Sequence, residues 1–247
     1  MICNQPFFWS SASRTDTGNV RAHNEDACIA LPDRGLWAVA DGMGGHDSGE
    51  VASNAIIETL GGIHRPPNLH SLVNEIESQL LVCNANLRTL ALSRGRDNIV
   101  GATAVVLVAY AGLAVYLWAG DCRLYRYRQG RLVQLTQDHT QVEEMVSCGL
   151  LTRAAARTHP NANVVTRAVG ARDALFMDID AEPIQDGDRF LLCSDGLDKE
   201  LEDREIAELL ADGEDADAVD ALIDLALSRR GRDNITVVVA TAHTDTN

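Results

Sequence analysis

The chain has 247 residues, and we expect one domain over positions 1–247, because single α/β or sandwich domains often reach about 200–250 residues. Its 46% hydrophobic and 23% charged residues are ordinary for a globular protein, so a core can form without a disulfide framework. The formal net charge of −15 argues against nonspecific nucleic-acid binding, which depends on lysines and arginines that neutralise phosphates.

The first half of the chain is predicted to form strands and then two helices. Short apolar or alternating segments, separated by turn residues, predict strands at 7–13, 26–31 and 35–40. Apolar residues at helical spacing predict a helix over 51–60, with Asp47 or Ser48 as its N-cap. A second helix is predicted over 69–93, where leucine and isoleucine recur at every fourth position.

The second half begins with strands and ends with two helices and a strand. Four β-like runs between 103 and 135 predict an antiparallel meander, and their near-continuous apolar character implies that both faces are covered. Further strands are expected at 174–181, 188–193 and 235–241, and further helices at 203–211 and 216–229. This order predicts an α+β fold, a four-layer α/β/β/α sandwich with two central, mainly antiparallel sheets.

The segment 139–172, which we call the flap, combines a short helical pattern with turn residues. It carries four arginines amid otherwise acidic surroundings, namely Arg153, Arg157, Arg167 and Arg172. We interpret it as a mobile, basic flap, and surface salt bridges would account for the arginines equally well. His139, at its start, is expected to order the flap rather than to take part in chemistry.

Cysteine usage and the apolar segments indicate the compartment. The six cysteines are scattered and form no CxxC pair, which fits reduced thiols in a reducing cytoplasm. The N-terminal residues include no basic region or long apolar stretch, and the longest apolar segment, 102–120, is interrupted by glycine and tyrosine. We therefore expect a cytoplasmic protein that is neither secreted nor inserted in a membrane.

Acidic residues recur where apolar strands end beside glycine or a turn. They lie in five strings: NED at 24–26, DGMGG at 41–45, GDCR at 120–123, SDGL at 194–197 and RDN at 232–234. A carboxylate at the rim of a buried strand is costly unless it is solvated, hydrogen-bonded or bound to a metal. Turn formation alone explains each Asp-Gly pair separately but not the strongly apolar strands before them. Sequence spacing leaves open whether the five places converge.

Convergence of these carboxylates would require a positive counter-charge, because mutual repulsion would otherwise raise their pKa values steeply. A ligand set of oxygens, without histidine or cysteine, favours Mg²⁺ or Mn²⁺ over zinc. Two such ions, roughly 3.5–4 Å apart, would also generate a bridging hydroxide at neutral pH. The acidic strings therefore predict a two-metal site if they meet.

Taken in order, eight strings resemble the metal-dependent protein phosphatase family, class 2C, in its bacterial form. They are RAHNED from Arg21, ADGMGGH from Ala40, GATAVV from Gly101, AGDCRLYR from Ala119, LTQDHT from Leu135, NVVTRAVG from Asn163, LLCSDGLD from Leu191 and GRDNITVVV from Gly231. The resemblance covers nearly the whole chain. It implies hydrolysis of phosphoserine and phosphothreonine in proteins, by a metal-bridged hydroxide that attacks in line, in opposition to a bacterial Ser/Thr kinase.

The resemblance also implies roles for individual residues. Asp41 would bridge two Mn²⁺ or Mg²⁺ ions, whose remaining ligands would be the Gly42 carbonyl, Glu25, Asp26, Asp195 and Asp233. Arg21 would bind the substrate phosphate, for which a guanidinium is well shaped. His46 is the histidine nearest to the site in sequence and the candidate proton donor, with a metal-bound water as the alternative.

Two positions depart from the family's usual pattern. The family's GDSR reads GDCR here, which places Cys122 beside Asp121, the residue that the resemblance links to a weak third ion. Lys199 stands where the family usually has an acidic residue, and a cation there disfavours a third metal. Asp198 is the neighbouring acid that would substitute.

Three other functions remain as alternatives: a catalytically inactive module that binds phosphoproteins, a two-metal phosphodiesterase or nuclease, and a calcium-dependent structural protein. Filled ligand positions count against the first, and the negative charge and lack of histidine ligands count against the second. The third would need a contiguous loop of oxygen ligands. The expected partners are phosphorylated proteins and a cognate Ser/Thr kinase, without nucleic acid or membrane, and the expected state is a monomer.

Overall fold

The structure is a computed structural model and describes residues 7–44, 47–64, 68–95 and 98–244. The strands of this part are β1 Phe7–Asp16, β2 Asp26–Leu31, β3 Leu36–Gly44, β4 Val100–Tyr110, β5 Leu113–Ala119, β6 Arg123–Arg128, β7 Arg131–Gln134, β8 Asp178–Pro183, β9 Arg189–Cys193 and β10 Ile235–Thr244. The helices are α1 Ser48–Gly61, α2 Leu69–Arg94, α3 Gln141–Ser147, α4 Arg153–Ala156, α5 Asp195–Asp198, α6 Asp203–Leu209 and α7 Asp215–Arg229. A 3₁₀ turn, Pro32–Arg34, joins β2 to β3.

The strands form two five-stranded sheets. The first has the order β1-β10-β9-β6-β7 and the second the order β2-β3-β4-β5-β8. Neighbouring strands pair antiparallel in both sheets. The chain crosses from one sheet to the other several times, so residues distant in sequence meet at the ends of the strands.

The two sheets pack face to face, and helices cover their outer faces. Along β3, Trp37 and Val39 belong to the core between the sheets, whereas Ala38 and Ala40 face α1 and α2. On the other side, α6 and α7 pack on the first sheet in a third apolar cluster. Strands covered on both faces need apolar residues at odd and even positions alike, which explains their continuous apolar runs. The predicted four-layer α/β/β/α sandwich is confirmed. The predicted single meander over 103–135 is wrong, because β4 and β5 lie in the second sheet whereas β6 and β7 lie in the first.

The N-terminus of α1 and the start of β8 differ in detail from the sequence prediction. Asp47 holds the N-cap position of α1 but makes no capping hydrogen bond, because its carboxylate pairs with Arg94 at 2.9 Å. The strand predicted from 174 begins at Asp178. The chain before it contacts α2, because Asn84 donates to the carbonyl of Arg172 at 3.0 Å and accepts from the Gly170 N–H at 2.7 Å. Just upstream, Val169 forms an isolated bridge with Ala102 of β4.

The flap is attached at both ends. His139 is buried, its Nδ1 accepts from the Gly120 N–H at 3.1 Å, and its Nε2 faces Asp178 at 3.1 Å. Its backbone carbonyl accepts from the Thr166 N–H at 2.7 Å. Burial lowers the pKa of His139, so the neutral ring is favoured, with the remaining proton on Nε2 directed at Asp178. His139 thus orders the start of the flap, as predicted.

The longest helix of the described ranges is α2, with 26 residues. Its buried face, which includes Leu72, Ile76 and Leu80, packs in the cluster under the second sheet. Each fully buried side chain of this kind contributes about 1.5–3 kcal/mol to folding. Within the same described ranges, neither α2 nor any other helix combines the length and the apolar composition needed to cross a lipid bilayer.

Candidate metal centre

The second sheet places two of the predicted acidic residues side by side. Asp26 opens β2 and Asp41 lies near the end of β3, and the two are direct cross-strand partners. Asp26 is only 7% exposed. On the next strand, Thr103 of β4 stands opposite Asp41 and contacts Cys122, 3.1 Å away. The register of β2, β3 and β4 therefore brings Asp26 and Asp41 to the turn that carries Asp121.

The first sheet brings three more acidic residues to the same end. Asp121 precedes β6, Asp195 follows β9 and Asp233 precedes β10. Because β9 pairs antiparallel with both β6 and β10, the start of β6, the end of β9 and the start of β10 lie together. The five places that the sequence singled out thus meet at one end of the sandwich.

Mutual repulsion and burial shape the electrostatics of this cluster. Burial raises the pKa of Asp41 well above its usual value, and the charges of Asp26, Asp195, Asp121 and Asp233 raise it further. Burial likewise raises the pKa of Asp26 to about 7, although the Ser194 hydroxyl opposes the shift. The pKa of Asp121 is also raised well above its usual value, again chiefly by burial. A positive charge placed among these groups would stabilise their ionised forms and so oppose the effects of burial and of mutual repulsion on the pKa values.

Two polar residues that the sequence prediction did not single out hold the acidic residues in place. The Ser194 hydroxyl donates to Asp26 Oδ2 at 2.7 Å and accepts from the Thr236 N–H at 3.0 Å. The Asn234 side chain accepts from the Glu25 N–H at 2.8 Å and donates to the carbonyls of Thr17 and His23, both at 2.9 Å. In the sequence, Ser194 stands directly before Asp195 and Asn234 directly after Asp233. This proximity to the acidic residues is the feature of the sequence that could have identified them.

Glycine is required where β3 meets α1. The Gly42 N–H donates to the Glu25 carbonyl at 3.0 Å. A Cβ at Gly42 would lie 2.2 Å from the Gly49 carbonyl oxygen and 2.5 Å from that of Glu25, closer than side-chain carbons come to backbone oxygens. A Cβ at Gly49 would similarly lie 2.6 Å from Glu25 Oε1. The glycines let the backbone approach Glu25 closely.

Two cations of the chain contact the cluster. Arg21 binds Asp233 through two nitrogens, with Nε 2.8 Å from Oδ1 and an Nη 3.0 Å from Oδ2. Lys199 contacts Asp195 Oδ2 and lies 3.6 Å from Asp233 Oδ2. Burial alone would raise the pKa of Asp233, but Arg21 and Lys199 outweigh it and lower the pKa. His46, the predicted proton donor, lies outside the described residues.

The donor set fits a hard divalent cation. Asp26 Oδ1 and Asp195 Oδ1 are buried and have no hydrogen-bond partner. Such orphaned acceptors are costly unless a cation lies against them, and carboxylate and carbonyl oxygens are the ligands that Mg²⁺ and Mn²⁺ prefer. Among the described residues, no three acidic, histidine or cysteine side chains form a ready-made cage. Asp195 and Asp233 are instead turned toward Lys199 and Arg21.

The neighbourhood of Asp121 is tightly packed. Cys122 is 1% exposed, and burial raises the pKa of its thiol well above the usual value, so the thiol stays protonated. Asp198 is engaged by Arg123 at 2.9 Å, and Arg123 also binds Asp138 at 2.7 Å. One oxygen of Asp198, Oδ1, is buried without a partner.

A cleft of about 1450 Å³ opens beside the cluster. Asp121, Asp195 and Asp233 line one part of it together with Arg21. Other parts of its wall carry further arginines, from the flap, from the end of α7 and from the segment after it: Arg153, Arg157, Arg229 and Arg232. The cleft therefore extends from the acidic cluster along a wall that carries both these arginines and further acidic residues, among them Glu143, Glu200 and Glu202.

In the absence of metal, we expect the melting temperature to fall as the pH rises from 5 to 8. Burial raises the pKa of Asp26 and of Asp198 to about 7, whereas an unfolded aspartate titrates near about 3.9. Between these values the folded state binds more protons, so the free energy of unfolding decreases with pH. Melting curves in EDTA at several pH values measure this, and a fall of about 5 °C is expected.

Saturating Mn²⁺ is the control for this pH dependence, because a bound cation removes the preference for protonated carboxylates. With the metal bound, the melting temperature should decrease less between pH 5 and 8 than it does in EDTA. A melting temperature in EDTA that stays constant or increases between pH 5 and 8 would contradict the electrostatic description of the cluster.

Comparison with known proteins identifies the family. The model of the family described as Protein phosphatase 2C matches residues 18–223. The serine/threonine protein phosphatase PstP of Mycobacterium tuberculosis is 35% identical over 229 residues, which are 93% of this chain and 44% of PstP. The chain thus spans less than half the length of that relative. Serine/threonine phosphatase stp of Listeria monocytogenes is 33% identical, over 92% of this chain and 93% of its own length.

Solved structures agree with the sequence relatives. PppA, described as a key regulatory component of T6SS in Pseudomonas aeruginosa, superposes with a TM-score of 0.89 at 41% identity, over 95% of this chain and 98% of its own. The catalytic domain of PstP in complex with two manganese ions gives a TM-score of 0.86 at 32% identity, over 96% of this chain and 100% of its own. The resemblance seen in the eight strings is confirmed, and the chain belongs to the protein phosphatase 2C family in its bacterial form.

Proposed function

We propose that this phosphatase uses two divalent ions, Mn²⁺ or Mg²⁺, to hydrolyse phosphoserine and phosphothreonine in proteins. The observation that carries the proposal is the pair of buried, unpartnered oxygens on Asp26 and Asp195, at the end of the sandwich where Asp41 also lies. The two manganese ions in the PstP catalytic domain and the names of the relatives support it.

The metal ligands follow from this arrangement. Asp41 would bridge the two ions, and the other ligands would be Glu25, Asp26, the Gly42 carbonyl, Asp195 and Asp233, with Asp121 reserved for a weak third ion. When bound, the ions supply an activated water for in-line attack on phosphorus and neutralise charge on the phosphoryl oxygens. The chain's own task is to hold the ligands, and Ser194 and Asn234 do so through the hydrogen bonds described above.

Arg21 is the proposed phosphate ligand. Its side chain is 53% exposed and lines the cleft, so an incoming phosphate can reach it. It is held by Asp233, which becomes available to a metal ion only if the guanidinium shares or releases that carboxylate. Loading of the site and release of the phosphate ligand are therefore coupled in this proposal. His46 remains the predicted proton donor for the leaving alkoxide.

The expected biological setting is protein phosphorylation in a bacterial cell. PstP and stp are serine/threonine phosphatases by name, which supports phosphorylated proteins as substrates. We further propose that the chain acts in the cytoplasm as a monomer and opposes a Ser/Thr kinase. Co-purification of the chain with its kinase from cells, followed by sizing of the purified protein, would test these points.

The flap arginines divide into two groups. Arg153, which is 78% exposed and pairs with Glu143 at 3.2 Å, lines the cleft together with Arg157. Arg167 lies outside the cleft lining and is paired with Asp178 at 2.6 Å. Arg157→Ala is expected to raise KM for a phosphopeptide by about two- to fivefold, because exposed charge interactions are worth up to about 1 kcal/mol. KM for a small aryl phosphate should change less, since that substrate does not extend along the cleft.

Arg172→Ala is the matched control for the flap, because it removes the same charge from the flap at a residue outside the cleft lining. Steady-state kinetics with both substrates measure the effect. Equal changes for the peptide and the aryl phosphate, or equal effects of the two substitutions, would mean that Arg157 does not contact the peptide.

The first test of the proposed function is a phosphothreonine-peptide assay of the purified chain in EDTA, Mg²⁺ or Mn²⁺. Turnover should require the metal and should collapse in Asp195→Ala. A diaryl phosphate measured in parallel tests the phosphodiesterase alternative. If the folded protein binds the peptide but hydrolyses it with neither metal, the inactive binding module is the better description.

A further inference from the structure

Lys199 is the only lysine of the chain, since twenty of its 21 basic residues are arginine. It directly follows α5, and its N–H donates to the Asp195 carbonyl at 3.1 Å, one helical turn back. Because of this turn, the Lys199 ammonium contacts the Asp195 side chain and lies 3.6 Å from Asp233 Oδ2. The single lysine therefore contacts two of the proposed metal ligands.

The contact is more than a helix-surface ion pair. A lysine–aspartate pair one turn apart on an exposed helix contributes only about 0.2–0.5 kcal/mol. Here the Asp195 side chain is 15% exposed, and the second partner, Asp233, comes from the segment before β10. Lys199 thus links two elements across the site.

The chemistry of lysine suits this position. An ammonium is a compact point charge with three donors, whereas a guanidinium is a planar fork that requires matching acceptors in its plane. Among the side chains of the protein, the ammonium is therefore the closest in size and charge distribution to a small inorganic cation. Its flexible four-carbon stem also allows it to leave the carboxylates without movement of the backbone.

We propose that Lys199 is a built-in competitor of one metal ion: its ammonium holds Asp195 and Asp233 in the metal-free chain and is displaced when a divalent ion binds them. This inference rests on the proposed metal site. It implies that Lys199 lowers the affinity for that ion and stabilises the two carboxylates when no metal is bound. The preceding residue, Asp198, has a buried Oδ1 without a hydrogen-bond partner, and the displaced ammonium would be able to donate to it.

Calorimetric titration with Mn²⁺ of the wild type, Lys199→Met and Arg232→Met tests the proposal. Arg232 lines the same cleft but pairs with Glu200 at 3.0 Å, so its substitution is a control for the loss of one positive charge. Lys199→Met should bind one Mn²⁺ about tenfold more tightly than the wild type. Arg232→Met should stay within about threefold of it. The metal-free melting temperature of Lys199→Met should also fall, and Mn²⁺ should restore it.

The outcomes separate this inference from the proposed function. If the wild type binds Mn²⁺ but Lys199→Met binds it equally or more weakly, the competitor role is overturned and the metal site stands. The same holds if both substitutions tighten binding to the same extent. If the wild type binds no Mn²⁺, both proposals are overturned.

The single lysine also permits a test that needs no substitution. Labelling with ¹³Cε-lysine gives one lysine side-chain signal in an NMR spectrum of the whole chain. Titration with diamagnetic Mg²⁺ should shift this signal. The shift should saturate with the Kd that a calorimetric titration with Mg²⁺ gives. A signal that stays unchanged while Mg²⁺ binds would show that the ammonium is not displaced.

Discussion

Asp41→Asn is expected to lower kcat/KM for a phosphothreonine peptide by about 10³-fold, which corresponds to about 4 kcal/mol of transition-state stabilisation. Asp41 is the proposed bridge between the two ions, and Asp26, its cross-strand partner, cannot replace it from the neighbouring strand. Steady-state assays in saturating Mn²⁺ measure the loss. Asp47→Asn is the matched control, since Asp47 is 67% exposed and pairs with Arg94 outside the cluster.

The same substitution should raise the melting temperature of the metal-free protein at pH 8. Burial and the charges of the surrounding carboxylates raise the pKa of Asp41, so keeping it ionised costs folding free energy that a neutral amide would not. Higher stability together with lost activity is the signature of a residue kept for its charge toward a ligand. A fall in both quantities would indicate that Asp41 has a structural role instead.

Gly42→Ala is expected to destabilise the fold by more than about 3 kcal/mol. The new Cβ would lie 2.2 Å and 2.5 Å from the backbone oxygens of Gly49 and Glu25, and backbone atoms cannot rotate away as side-chain ends do. Relief requires β3 to separate from both α1 and the segment before β2. Denaturant unfolding with and without Mn²⁺ measures the change.

Gly62→Ala is the control for this glycine, because Gly62 has an ordinary φ of −77° and the nearest atom to a Cβ there is 3.4 Å away. The free energy of unfolding of Gly62→Ala should remain close to that of the wild type. If Gly42→Ala unfolds at the same denaturant concentration as Gly62→Ala, the close approach of α1 to β3 is not required for folding.

Much of the layered fold could be predicted from the sequence, because each element leaves a local pattern. Helical spacing of leucine and isoleucine predicted α2, and the continuous apolar runs predicted strands covered on both faces. Such patterns depend on residues within one or two turns of each other, and the chain order alone displays them. The start of β8 was placed four residues too early, because the contacts that the preceding segment makes with Asn84 of α2 leave no local pattern in the sequence.

The chemistry of the site was visible in the sequence only as separate pieces. The acidic strings and the family resemblance identified Asp26, Asp41, Asp121, Asp195 and Asp233, and the oxygen-only character of the set indicated the type of metal. Their meeting at one end of the sandwich depends on the register of β2, β3, β6, β9 and β10. Register is a non-local property, since it is determined by pairing between strands that are far apart in the chain.

The partners of the basic residues were decided at the same non-local level. The sequence showed Lys199 as a departure from the family pattern and predicted Arg21 as a phosphate ligand. It could not show that both side chains contact Asp233. Long flexible side chains choose their partners from whatever the folded backbone brings within reach. The residue types that can perform the chemistry are therefore encoded in the sequence, whereas the charges that they face are determined by the packing of the two sheets.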